Sequence, residues 1–314
     1  MTVATACGKV ILFGEHAVVY GRPAIAVPIH DVRAQAHVEA GPPAQGIRIV
    51  AMDIGRDYLL QEADESDPLA RMVRLTLDEL GIEEAGDWTL ILRSELPMAR
   101  GLGSGAAIST AIVRALAGHF GRPMAPEAVS ALVLEVEKLY HGTPSGIDNT
   151  VIAFERPIYF VKGQPPQLLS LGSSCTLLIA DTGIPSSTRD VVQDVRRRWE
   201  REPAHYEALF DEIGRLAEAA RTCMEAGDWA HVGEWMDDNH RLLQELDVSS
   251  PELDRLVEAA REAGALGAKL CGAGRGGHMI ALVEANMTEP IRAALQRAGA
   301  ARIIITTIKS ESSR

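Results

Sequence analysis

Residues 97–107, PMARGLGSGAA, bring Gly101, Gly103 and Gly105 together just ahead of an apolar stretch of helical length. The first turn of a helix leaves its amide N–H groups unpaired and carries the positive end of the helix dipole, and absent side chains let an anion approach that backbone. Phosphate suits such a segment, with the Ser104 hydroxyl as a further partner for phosphate or magnesium, although a tight packing turn would use the same residues. Two carboxylates add to it. Glu137 lies four residues after Val133 on a helical pattern, beside the buried face, where a metal ion, a cation or a reach to water must offset its burial. Asp148 ends residues 141–148, HGTPSGID, a loop shaped by two glycines and a proline, as a turn aspartate or as a base or orienting group for a hydroxyl. Lys9, inside a strand-like run, must snorkel from an edge or pair with buried negative charge. Each residue has an ordinary structural explanation. Together they supply what phosphoryl transfer to an alcohol requires: a phosphate cradle, a metal ligand, a carboxylate at the hydroxyl and a cation near the developing charge.

Better-known nucleotide motifs do not fit the glycine segment. Walker A needs Lys followed by Ser or Thr after its last glycine, whereas Gly105 precedes Ala106 and Ala107. A Rossmann fingerprint needs an acidic residue about 20 positions on, at the end of a second parallel strand. The chain has a turn from Gly121 to Pro126 there.

The elements that must position these residues follow from periodicity. Val10–Phe13 is an apolar run, Val32–Glu39 alternates as a half-buried strand, and Trp88–Glu95 predicts another strand ahead of the glycines. Helices are predicted over Ala106–Phe120 and from Pro126 to the turn at His141. Beyond about Ser187 the pattern changes to long amphipathic helices, one burying Tyr206, Leu209, Phe210, Ile213, Leu216, Ala217 and Ala220. Another starts with Ser250 as its cap and Pro251 at its first position, and Ala301–Ile308 predicts a terminal strand. Pro165 and Pro166 mark a connection between the strand-rich and helix-rich parts.

Composition limits the partners. With 31 basic and 43 acidic residues, a net charge of −12 argues against a broad grip on nucleic acid or an anionic membrane, so a polyphosphate needs a local site. Cys7, Cys175, Cys223 and Cys271 form no CxxC pair, which predicts neither a zinc site nor a disulfide framework and fits a reducing cytoplasm. No leader pattern or membrane-spanning segment is expected.

Four segments in order resemble the GHMP kinase superfamily: residues 8–21 (GKVILFGEHAVVYG), 101–107, 141–148 and 269–277 (KLCGAGRGG). The first resembles the mevalonate kinase family almost residue for residue. Galactokinases typically continue with a GEHTDY-like pattern, and homoserine kinases and mevalonate diphosphate decarboxylases begin differently. The resemblance implies an α+β, two-domain GHMP kinase fold. A ribosomal protein S5 domain 2-like N-terminal domain would span residues 1–168, and a ferredoxin-like C-terminal domain residues 169–314. It also implies ATP-dependent phosphorylation of (R)-mevalonate on its C5 hydroxyl, within isoprenoid biosynthesis, with Mg²⁺ as cofactor. Asp148 and Lys9 would be catalytic, and Ser104 and Glu137 would hold magnesium. Pro97, Gly101, Leu102, Gly103, Ser104, Gly105 and Ala106 would bind the nucleotide, and Lys9, Glu15, His16, Asp148, Thr188 and Gly274 the alcohol. For Thr188 a helix N-cap is the alternative role. Small-molecule substrates are the implied partners, a homodimer is left open, and the location implied is cytoplasmic.

Two departures stand out. Gly105 replaces the second serine usual in the phosphate loop, and Arg275 interrupts the last glycine run, either adding charge near a phosphate or pointing into solvent. Another GHMP kinase, acting on a sugar or on phosphomevalonate, would share the phosphate machinery. A non-catalytic GHMP-fold binding protein would be expected to lack Lys9, Glu137 or Asp148, and all three are present.

Overall fold

The computed structural model describes residues 1–83, 86–97, 101–141 and 144–310. Its strands are β1 (Thr2–Phe13), β2 (Ala24–Ala40), β3 (Ile47–Ala51), β4 (Arg56–Leu59), β5 (Trp88–Ser94), β6 (Ile158–Phe160), β7 (Gln167–Leu168), β8 (Cys175–Asp181), β9 (Gly267–Cys271), β10 (His278–Val283) and β11 (Arg302–Ile308). The helices are α1 (Pro68–Glu79), α2 (Ser104–His119), α3 (Pro126–His141), α4 (Ile147–Phe154), α5 (Thr188–Arg201), α6 (Pro203–Ala226), α7 (Trp229–Glu245), α8 (Pro251–Glu262) and α9 (Thr288–Arg297). The chain packs as two compact units. The first holds Met1–Gly8, Val32–Met98 and Gly103–Glu155, and the second holds Lys9–Asp31, Ala99–Leu102 and Arg156–Arg314.

In the first unit, β2 pairs antiparallel with β5, β5 parallel with β3, and β3 antiparallel with β4. The alternation in β2 buries Val32, Ala34, Ala36 and Val38. The strand begins earlier than its period-2 pattern predicts because Ala24–Ile29 is buried throughout and therefore does not alternate. Helices α1 to α4 pack on one another. Asp67 caps α1 by accepting from the Ala70 amide at 2.9 Å, with Pro68 at its first position.

In the second unit, β2 residues Ala24–Ala26 pair with β6, which pairs with β7. The main sheet has the order β11-β8-β10-β9 with every neighbour antiparallel. With α5–α8 between β8 and β9, and α9 between β10 and β11, this is the split βαβ pattern of a ferredoxin-like domain. The expected stripe of α6 is buried from Tyr206 to Ala220, and Tyr206, Leu209, Phe210 and Ile213 share one core with Leu178, Leu256, Leu270 and Met279. Ser250 caps α8 as predicted, its hydroxyl accepting from the Leu253 amide. Among the described residues no helix is long and apolar enough to cross a membrane.

Candidate active site

In the first unit, α2 begins at Ser104, directly after a left-handed Gly103 at φ 76°. Gly103 O accepts from the Ala107 amide at 2.8 Å, so the amides of Ser104, Gly105 and Ala106 form the helix's opening turn. Ala106 is buried, whereas Gly103 and Ser104 are half-buried and Gly105 exposed. Glu137 on α3 is only 7% exposed, and a Cβ on Gly105 would stand 3.1 Å from its Oε1. The carboxylate therefore reaches the α2 opening turn, where Ser104 lies. A side chain at 105 would stand directly against the Glu137 carboxylate. A hydroxyl and a carboxylate are hard oxygen donors of the kind magnesium takes alongside phosphate oxygens and water.

Asp148 does not end a loop, as the turn residues suggested. It sits half-buried in the first turn of α4, which starts behind Gly146 at φ 92°. The Asn149 side chain next to it donates from Nδ2 to Ser130 O at 3.0 Å and Ser130 Oγ at 2.8 Å, and Thr150 Oγ1 donates to Gly146 O at 2.6 Å. These bonds fix the start of α4 on α3 and so fix the backbone that carries Asp148. An eight-residue helix this rich in turn residues upstream carries a weak periodic signal. Gly142 and Thr143 of that segment, and Met98, Ala99 and Arg100 of the glycine segment, lie outside the described residues.

In the second unit, Lys9 is 3% exposed, so the strand-edge reading fails. Its amide donates to Leu102 O at 3.1 Å, and the Leu102 side chain is core. The glycine loops meet here: a Cβ on Gly272 would stand 3.7 Å from the Gly101 Cα, and one on Gly101 would stand 3.8 Å from Cys271 O. Pro97, the other predicted nucleotide contact, is half-buried after β5.

Glu15 and His16 follow β1 and are almost wholly enclosed. Glu15 Oε1 pairs with Lys269 Nζ, and Asn239 Nδ2 donates to Glu15 Oε2 at 3.2 Å. His16 Nε2 lies 2.9 Å from Ala273 O. A carbonyl only accepts, so Nε2 carries the proton. Burial holds the imidazole down at about 4, with the Ala273 bond opposing and the Arg275 charge adding, which leaves His16 neutral with Nδ1 as an acceptor. The Cys271 thiol is pushed up to about 11 by burial and then by Glu15, with Lys269 and Lys9 opposing. Tyr20, at the end of the short helical turn Ala17–Tyr20, stacks on Phe210 of α6 with centroids 4.1 Å apart.

Sequence reasoning assigned no role to Lys269 or Asn239. Lys269 carried the same signal as Lys9, a lysine within a strand that is otherwise apolar. Asn239 lies on amphipathic α7 and had none.

Three other residues named from the sequence have these surroundings. Thr188 is exposed as the first residue of α5, and Ser187 is the cap, accepting from the Asp190 amide at 3.3 Å. Arg275 does not point freely into solvent: Nη2 donates to Asp194 Oδ2 at 2.6 Å and to Asp247 O at 3.1 Å. Gly274 has φ 87°, and a Cβ there would stand 1.9 Å from Val248 O, so the packing requires glycine. Its carbonyl accepts from Ser186 Oγ.

His16 and His240 make stability depend on pH. Burial, and then the Arg261 charge, also lower His240. Folded imidazoles with depressed affinity take up protons on unfolding, so their contribution to stability is complete above about 6.5 and declines toward pH 4. His16 contributes a loss of about 2 kcal/mol between about pH 7.5 and 5. Urea unfolding at both pH values is expected to show this loss, and His16→Gln to reduce it. An equal pH dependence in the variant would mean that His16 titrates normally.

Residues 68–156 match the GHMP kinases N terminal domain, and residues 216–301 match the GHMP kinases C terminal domain. Mevalonate kinase of Thermococcus sibiricus is 36% identical, with 99% of this chain and 97% of the relative covered. That of Pyrococcus abyssi is 35% identical, covering 100% and 97%. The crystal structure of L. major mevalonate kinase in complex with R-mevalonate superposes with a TM-score of 0.85 at 30% identity, covering 99% of this chain and 97% of the other. With both GHMP domains matched and near-complete coverage at this identity, the chain belongs to the mevalonate kinase family of the GHMP kinases.

Proposed function

We propose that the protein transfers the γ-phosphoryl group of ATP to the C5 hydroxyl of (R)-mevalonate, giving 5-phosphomevalonate for isoprenoid biosynthesis. The observation that carries the substrate is the 8–21 segment folded as a buried Glu15–His16 corner in a chain that matches mevalonate kinases along its whole length. Neutral His16, with Nε2–H committed to Ala273, offers Nδ1 to a hydroxyl of the acceptor. Asp148 orients the reacting alcohol and takes its proton, and Lys9 balances charge at the hydroxyl. The opening turn of α2 receives phosphate oxygens on its amides. Ser104 and Glu137 hold Mg²⁺, which when bound neutralises phosphate charge.

ADP release measured with mevalonate, phosphomevalonate, galactose and homoserine tests the reading. The highest kcat/KM is expected with mevalonate. A clearly higher value with another acceptor would overturn the substrate and leave the kinase chemistry standing. Glu137→Gln keeps shape but removes the ligand charge, and is expected to raise the magnesium needed for half-maximal rate by roughly an order of magnitude. An unchanged magnesium titration would make Glu137 a packing residue.

A further inference from the structure

Lys269 lies at the centre of β9, where all five residues are buried and Lys269 itself is 0% exposed. Alternation sends Ala268 and Leu270 into the hydrophobic core of the second unit and sends Lys269 and Cys271 toward the end of β1, where Lys269 Nζ meets Glu15 and Cys271 Sγ donates to Ile11 O at 3.5 Å. Both charges are further satisfied: Lys269 Nζ donates to Leu270 O at 2.8 Å, and Asn239 serves the second Glu15 oxygen. Stability alone does not call for such a pair, since apolar side chains of similar volume fill a buried site at least as well as an ion pair.

What the pair holds is a strained corner. On one side of Glu15, Gly14 has φ 96°, and a Cβ there would stand 2.4 Å from Ala24 Cβ. On the other side His16, not a glycine, has φ 61°. Such a conformation persists only where its surroundings over-determine it. Two ties do so, and both come from one stretch of chain: Lys269 of β9 grips Glu15, and Ala273, four residues later, grips His16. We propose that Lys269 is a positioning residue for the acceptor: through its buried ion pair with Glu15 it sets the His16 imidazole against the 272–277 loop. This rests on the mevalonate kinase reading and adds to it a residue that touches no reacting atom.

The test separates positioning from plain stability. Lys269→Met alone leaves Glu15 buried without its cation and is expected to lower Tm; the double variant Glu15→Gln/Lys269→Met removes both charges and is expected to recover much of that loss. If Lys269 positions His16, mevalonate KM stays raised in the double variant by about 10- to 100-fold while ATP KM stays within about twofold of wild type. Return of mevalonate KM to the wild-type value along with Tm would overturn the proposal, as would equal increases in both KM values. Glu15→Gln, which preserves shape and Lys269, decides the same question if the double variant does not fold: it too is expected to raise mevalonate KM selectively, and a normal KM sinks the proposal. Should wild-type protein prefer another alcohol, the substrate reading fails, and the same split measured with that alcohol still decides the role of Lys269.

Discussion

Asp148→Asn is expected to lower phosphoryl transfer to mevalonate by about 10²- to 10⁴-fold, the usual worth of a general base or an orienting group in its place. The substitution keeps the volume of the side chain and leaves Asn149 and Thr150, which anchor α4, untouched. Folding and ATP affinity should therefore be preserved, because the nucleotide contacts assigned to the α2 opening turn do not involve position 148. Single-turnover rates in rapid quench, together with ATP binding by calorimetry, separate the two effects. A loss near the lower end would point to orientation of the alcohol, since in phosphoryl transfer positioning can outweigh proton removal. Near-normal turnover by the folded variant would remove Asp148 from the mechanism.

Gly274→Ala is expected to cost more than about 4 kcal/mol, the range reached by substitutions with a specific backbone conflict. The Arg275 amide donates to Val248 O at 2.7 Å, which draws the chain so close that a Cβ on Gly274 would stand 1.9 Å from the same oxygen. The left-handed φ of 87° adds its own penalty for any residue with a side chain. Gly272→Ala is the control. Its φ is also 87°, but its Cβ would meet Gly101 Cα at an ordinary 3.7 Å, so only the conformational penalty of roughly 1 to 3 kcal/mol remains. Denaturant midpoints for the two variants measure the difference. A stable Gly274→Ala protein with a raised mevalonate KM would instead assign the glycine to substrate approach.

Elements whose signals are local were legible in the residues alone. Alternation in β2, the apolar stripe of α6 and the Ser250–Pro251 start of α8 depend on near neighbours and on the period of the backbone, and each is found in the structure. The glycine segment was also legible as a turn into a helix, because glycines followed by an apolar stretch of helical length are a local signal, and the structure starts α2 at Ser104 behind a left-handed Gly103. Whatever depends on what a side chain meets from a distant part of the chain was settled only by tertiary packing. Periodicity in the run after Gly8 could not say whether Lys9 is buried, and no pattern in residues 8–21 could reveal that Glu15 finds Lys269, 254 positions on. The free space at Gly105 is set by Glu137 on another helix, and Arg275 is committed by Asp194 and Asp247. Burial and partner together fix the charge and hydrogen-bonding role of such groups, and both become defined only when separate segments pack. The residues therefore name the chemistry at hand, while packing settles which groups remain available to perform it.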